Sequence, residues 1–522
     1  MCADCGAPNV VRTCSRFQKQ FDPSSASSSA PARCSKRTDE TLPAGARVAP
    51  RMQIDAARRA MRMTSSMSCS TSRAAHLSAS RSRRRRDGRG VVARASREAT
   101  RSASPDDVDN TEGDGSSLGT SGRCTRRGAL RAALGAGALA LAATTSPDLA
   151  VAAADPANPR SYFQRYPTLF APFYGDDERV TLLKTVVPDQ VWALEQNLAI
   201  GPLETPLRCV VIRLEDGSLW VHAPLAPTAE FFALVESIGG PVRHVVVPTY
   251  ALEHKIFARD ALERWPAADL WVAPGQFSFP VEVSAAEVYG REPRGVLGRA
   301  EDGGSGETPP WLSEIDCEVL RAGKFGVAWK DVTIREATFF HARSKTLVVT
   351  DAVARVPYEI PPLQTPEKLL LVGKRSTADP QPPDTPENRL AGWKKMALLV
   401  NYFFPEHEEP APGQLGVVEW TPGWEENFDA LAGRLLVPPV VRSLLYSQDP
   451  RAVRAYVDRV TAKWDFERVV PAHWEGPIDA GPNEFRDAFR FLEDPSLDPF
   501  PKADMARGLQ PIADLVVAPA DA

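Results

Sequence analysis

From residue 207 onward the chain alternates between short β-forming runs and amphipathic stretches. Residues 207–214 are mostly β-formers and predict a strand. Glu215-Asp216-Gly217 is turn chemistry, and 219–222 predict the return strand of a hairpin. Thr228 is the expected N-cap of a helix over 229–238, with Phe231, Phe232, Leu234 and Val235 on its buried side and Gly239-Gly240 ending it. Residues 242–247 form a β-branched run without alternation, which predicts a central strand covered on both faces. A helix over 255–264, closed by Pro266, and a short strand over 270–273 follow. This strand–helix–strand–helix–strand order predicts an α/β layered domain. Farther along, the Gly-, Pro- and charge-rich stretch 291–314 and the Pro-rich stretch 374–388 read as loops. Strands are expected over 317–320, 332–340, 346–350 and 466–470, and helices over 390–402, 424–435, 438–446, 451–463 and 483–492.

Charge divides the chain. Residues 1–100 hold 20 Lys and Arg against 7 Asp and Glu, whereas residues 155–522 hold 37 against 53, so the net charge of −4 hides a basic leader on an acidic body. An acidic body repels phosphate backbones, which argues against a nucleic-acid partner. Six of the eight cysteines lie in the leader, and only Cys209 and Cys317 remain in the body, their pairing left open by the sequence. The Cys2/Cys5 pair has metal-ligand spacing, but no second such pair follows.

The leader itself reads as targeting sequence. Residues 1–100 have the character of a chloroplast transit peptide, Arg-, Ser- and Ala-rich and acid-poor over 51–100. Residues 101–154 read as an acidic linker and a twin-arginine lumenal signal: Arg126-Arg127, a soft apolar run over 132–143, then Ala152-Ala153-Ala154 as a cleavage pattern. That run is too short to cross a bilayer stably, so no membrane span is expected after processing. The expected working protein is residues 155–522, in a thylakoid lumen, long enough to bury a sizeable core.

The body holds six histidines. His254 falls in the loop between a central strand and the next helix. His341 and Asp351 flank the strand over 346–350, and His473 follows the strand over 466–470. Strand ends are where an open α/β sheet places its ligand site, and imidazole with carboxylate is the usual ligand set of Zn²⁺ or Fe²⁺. His222, closing a strand before Ala-Pro, reads as structural, His244 as a core residue, and His407, in the acidic run Glu406-His407-Glu408-Glu409, as a surface residue. No phosphate-cradling Gly-rich loop and no G-x-S-x-G is present.

The stretch from Val242 to Pro274 resembles the metal-binding segment of the metallo-β-lactamase superfamily, a strand, then H-x-H-x-D-H, then a helix and strand. The motif falls on Thr249-Tyr250-Ala251-Leu252-Glu253-His254, so Thr249 and Ala251 replace the two leading histidines, Glu253 replaces the aspartate, and His254 alone matches. His341 and Asp351 resemble the later histidine and the bridging aspartate, and Val469-Val470-Pro471-Ala472-His473 resembles the final histidine segment. In detail the chain is similar to an uncharacterised branch of that superfamily, a domain of unknown function from photosynthetic organisms, in VIRLEDGSLWVHAP from Val211 to Pro224, in Trp265-Pro266-Ala267-Ala268, and in FFHARSKTL from Phe339 to Leu347.

The resemblance runs from about Thr181 to Leu492 and implies an αββα sandwich of the metallo-β-lactamase type. It implies at most one Zn or Fe ion, held by His254, Asp351 and His473 with His341 as a further ligand, and Asp351 or Glu253 as the base. The expected activity is metal-dependent hydrolysis of a small carbonyl substrate (an ester, thioester or amide). The rival expectation is a non-catalytic metal- or ligand-binding lumenal protein that supports assembly of a photosynthetic complex. The acidity of the body argues against a nuclease of the same fold.

Overall fold

A computed structural model describes residues 157–277, 283–327 and 330–516. The expected transit peptide, twin-arginine signal and cleavage site lie outside the described residues.

Seven strands build the first sheet in sequential order: β1 (Leu182–Val187), β2 (Val191–Ile200), β3 (Leu203–Arg213), β4 (Leu219–His222), β5 (Val242–Val247), β6 (Asp269–Val272) and β7 (Gly295–Val296). β1 to β4 pair antiparallel and β4 to β7 parallel. The β3–β4 hairpin turns where its residues predict. Ser218 N donates to the Asp216 carboxylate at 2.8 Å, and Gly217 takes φ 80°. Gly240, at φ 101°, closes against this turn so tightly that a Cβ there would stand 2.2 Å from the Gly217 carbonyl oxygen, which leaves room for glycine alone.

The second sheet has five strands: β8 (Ile315–Val327), β9 (Lys330–His341), β10 (Thr346–Val348), β13 (Arg468–Val470) and β14 (Ile478–Asp479). Its order is β14-β13-β10-β9-β8, with β10 and β13 parallel. A separate hairpin joins β11 (Glu408–Pro410) to β12 (Val418–Trp420).

Alternation along the strands sets the layers. On β3, Cys209 and Val211 face one core while Val210 and Ile212 face another; on β5, Val245 and Val247 alternate with Val246 in the same way. The outer core of the first sheet is closed by helices α1 (Ala229–Ser237) and α2 (Ala258–Arg264). Thr228 caps α1, accepting the Phe231 N–H at 3.0 Å. The inner core joins Val210, Trp220, Val246 and Trp271 of the first sheet to Phe339, Val348 and Val470 of the second. The outer face of the second sheet is covered by α5 (Pro450–Lys463) through Val453, Tyr456, Val457 and Val460. Helix, sheet, sheet, helix is the αββα order expected. A further helical core packs α3 (Pro366–Gly373) and α4 (Pro386–Tyr402) beside the sandwich.

Several elements differ from the sequence expectation. β1 and β2 precede the first strand expected, β8 is much longer than 317–320, and α3 and the β11–β12 hairpin were not expected. The helix expected over 255–264 is a 3₁₀ turn, Leu252–His254, followed by α2. Cys209 and Cys317 are both free. Cys209 faces the outer core and Cys317 packs against the inner one, so the first sheet stands between them. Among the described residues no helix is long and apolar enough to cross a membrane.

Candidate metal centre

Four residues expected from the sequence converge where the parallel strands of both sheets end. The β10–β13 pairing continues past the strands, through Val349 N to Val470 O (3.1 Å) and Ala472 N to Thr350 O (3.1 Å), and so delivers Asp351 and His473 side by side. His254 reaches the same point from the 3₁₀ turn after β5. His473 Nε2 stands 3.2 Å from His254 Nε2 and 3.3 Å from Asp351 Oδ1, and His254 Nε2 stands 3.6 Å from the same oxygen. Glu253 joins the histidines, with one ligand atom from each of the three within 4.8 Å of the others.

These spacings fit a metal. Ligands about 2.0–2.1 Å from a tetrahedral ion lie about 3.3 Å from one another. Two imidazole nitrogens facing each other at 3.2 Å share no proton if both present lone pairs, and a cation between them relieves that opposition. The tautomer of His473 is set from behind, where its Nδ1 donates to the Pro206 carbonyl oxygen at 3.0 Å and leaves Nε2 as the lone-pair nitrogen facing the cluster. The same groups are also coupled by charge. Burial opposes a charge on His254, but the Asp351 carboxylate outweighs it, with help from Glu253 and Glu336, and the His254 pKa is raised. Burial also opposes a charge on Asp351, yet His254 and His473 hold its carboxyl far below the usual range.

His341, the remaining expected ligand, is not brought to this cluster. It pairs with Thr346 at the start of β10, whereas Asp351 lies beyond the strand's other end. Glu336, five residues before His341 on β9, bonds the Asp351 N–H, which puts His341 about 17 Å away along the strand. There His341 Nδ1 meets Ser344 Oγ at 2.7 Å, and Ser344 Oγ donates to Thr346 Oγ1 at 2.8 Å. Trp474, the residue after His473, takes φ 59° and packs its ring on Trp393, centroids 5.7 Å apart.

Three residues support the site in roles the sequence did not predict. Glu336 is buried, and its carboxylate accepts the N–H groups of Thr350 (2.7 Å), Asp351 (3.0 Å) and Ala352 (3.3 Å). Burial and the nearby Asp351 charge hold Glu336 above the usual carboxylate range despite those donors. Thr249, standing where the motif has its first histidine, bridges to Glu336, and Ala337 N donates to Pro248 O at 2.8 Å, which ties β5 to β9 beside the site. Arg208 is buried on β3 and paired with Glu195 at 2.7 Å. Its guanidinium donates to the carbonyl oxygens of Pro471 and, at 2.7 Å, Trp474, and so grips the loop on both sides of His473. The cue in the sequence was a charged residue, Arg208, one position into the β-forming run 207–214.

His222 ends β4 with its ring in the inner core, stacked on Trp220 and edge-on to Phe339. Burial pushes its pKa down to about 3, the field of His254 adding to this and that of Asp351 opposing it. Neither ring nitrogen has a hydrogen-bond partner.

Residues 188–491 match the family described as Domain of unknown function (DUF4336). This chain belongs to that family. No curated protein matches it. Among solved structures, similarity is found to a metallo-beta-lactamase from Pontibacter korlensis (11% identity, 60% of this chain and 100% of that one, TM-score 0.29). It is also found to the metallo-beta-lactamases DIM-1 (10%, 60% and 99%, 0.29) and IND-7 (8%, 59% and 98%, 0.30).

Proposed function

We propose that this protein is a metal-dependent hydrolase of a small ester, thioester or amide, with a mononuclear centre at His254, Asp351 and His473 and with Glu253 beside it. The observation that carries the reading is the convergence of two imidazole nitrogens and a carboxylate oxygen at 3.2–3.6 Å, the spacing of ligands around one ion. A bound Zn²⁺ or Fe²⁺ supplies Lewis acidity there and makes water nucleophilic near neutral pH. The chain's own contributions are distinct. His473 is oriented by Pro206, Asp351 by the Glu336-bound loop, and the Glu253 carboxylate stands beside the cluster to take up a proton. Thr249 and Ala251 offer no imidazole where the two-metal pattern has its leading histidines, which supports one ion rather than two.

The test is metal content and turnover of generic esters and thioesters by the purified protein. About one zinc or iron per chain and turnover lost by more than about 100-fold in His254→Ala are expected. Turnover that survives His254→Ala sinks the hydrolase reading, and bound metal without turnover favours the non-catalytic lumenal binder. We also propose delivery to a thylakoid lumen, on the leader's composition and its Arg126-Arg127 signal pattern. Mature protein beginning near Asp155 in the lumenal fraction is expected; stromal protein beginning near residue 100 would refute this.

A further inference from the structure

A cavity of about 260 Å³ lies where the β2–β3 turn, α3, α4 and the β11–β12 hairpin meet, and none of the residues lining it belongs to the metal cluster. Leu203, Leu371, Val372, Leu399, Val418 and Trp420 give it an apolar wall. Leu371 is 45% exposed, so that wall reaches solvent. Sites for drug-sized molecules hold about 300–1,000 Å³, so an occupant here is smaller.

One acid enters this wall. Glu408 of β11 pairs with Trp420 of β12, and Pro410 pairs with Val418. Cross-strand partners share a face of the hairpin, and the strand period of two puts Val418 on the same face as Trp420. The Glu408 side chain therefore stands on the face that lines the cavity. Glu408 is half-buried, and among the described residues its carboxylate has no hydrogen bond or ion pair. The cations around it are committed elsewhere. Lys395 Nζ stands over Trp420, 5.3 Å from the ring centroid, and donates to the carbonyl oxygens of Gly373 at 2.9 Å and Lys374 at 2.8 Å. Arg507 donates to the carbonyl oxygens of Glu406 and Glu408 and to the Glu409 carboxylate. Lys374 also lines the cavity but makes no ion pair with Glu408. A carboxylate taken partly out of water without a partner is unfavourable, and burial accordingly raises the Glu408 pKa to about 7, against the fields of Arg507 and Lys395. An apolar wall with one unmatched acid is complementary to a small apolar cation.

We propose that this cavity binds a small apolar molecule carrying a protonated amine, with its ammonium on the Glu408 carboxylate and its hydrocarbon body against Leu371, Val372, Leu399 and Val418. The inference is independent of the metal reading.

The test uses three probes with one hydrocarbon body and different charge: hexylamine, hexanol and hexanoate. Each is titrated calorimetrically into the purified protein at pH 8. Hexylamine is expected to saturate one site per chain and to bind more than about tenfold tighter than hexanol, with hexanoate weakest. Glu408→Gln should bring hexylamine down to the level of hexanol and leave hexanol unchanged. Leu371→Arg, at an exposed position, brings a guanidinium to the cavity and should weaken hexylamine by a similar factor. No saturable binding, hexylamine no tighter than hexanol, or hexanoate as the tightest probe would overturn the inference. So would an amine preference that survives both substitutions. The three-probe comparison is made on the unaltered protein, so it decides whether or not either variant folds.

Discussion

Arg208 is the residue whose removal reports most directly on how the second sheet is held to the first. It lies on β3, while Pro471 and Trp474, whose carbonyl oxygens it holds, bracket His473. In Arg208→Met both carbonyls lose their donor. Glu195, only 3% exposed, keeps Lys184 at 2.7 Å as its one remaining ionic partner. Breaking a buried pair on one side costs about 3–5 kcal/mol. Lys184 is partly solvated and recovers only part of that, so the lower half of the range is expected. For a domain of this size each kcal/mol moves the melting temperature by about 1–2 °C, which gives a drop of about 3–8 °C. The functional effect is separate. His473 retains its bond to Pro206 but loses the grip on its flanks, and supporting bonds of this kind are worth about 10–100-fold in metal affinity. The assay is thermal unfolding of the metal-free protein beside a zinc competition titration. The double variant Arg208→Met/Glu195→Leu sharpens it. Removing the stranded carboxylate should restore part of the melting temperature but none of the zinc affinity, because the carbonyl contacts stay lost. A single variant that melts within about 1 °C of the parent, or a double variant that regains full zinc affinity, would refute the reasoning.

Three further outcomes follow from the packing. Glu336→Leu leaves three buried N–H groups at residues 350–352 without an acceptor; a loss of several kcal/mol, about 1–3 for each, is expected in chemical denaturation, with zinc affinity falling alongside. His341 is held neutral by burial, its pKa pushed down to about 4. The unfolded chain therefore takes up the proton first, and stability should fall as pH drops from about 6.5 to 4, by up to about 3 kcal/mol from this group. His341→Gln should flatten that part of the stability–pH profile, and an unchanged slope would contradict the assignment. Gly392 on α4 lies so close to α3 that an added Cβ would stand 2.0 Å from the Leu369 carbonyl oxygen. Gly392→Ala should therefore destabilise by about 1–3 kcal/mol despite the better helix propensity of alanine, read as a lowered denaturation midpoint.

Local patterning determined much of this protein. The β3–β4 hairpin, the Thr228-capped helix, the doubly covered β5 and the layered α/β order are consequences of side-chain period and turn chemistry, which act over a few residues. Three of the four gathered site residues, His254, Asp351 and His473, were legible because they follow strand ends in a chain of alternating elements. Glu253 was legible only beside His254 through the motif. What the tertiary structure decided was which ends meet. His341 and Asp351 flank one short strand and look equivalent in sequence, but a strand has two ends about 3.3 Å per residue apart, and only the Asp351 end opens onto the site. Arg208, Glu336 and His222 acquire their places through partners far away in the chain, Pro471, Thr350 and Phe339. Such pairings rest on how two sheets stack, a long-range arrangement to which no local spacing points.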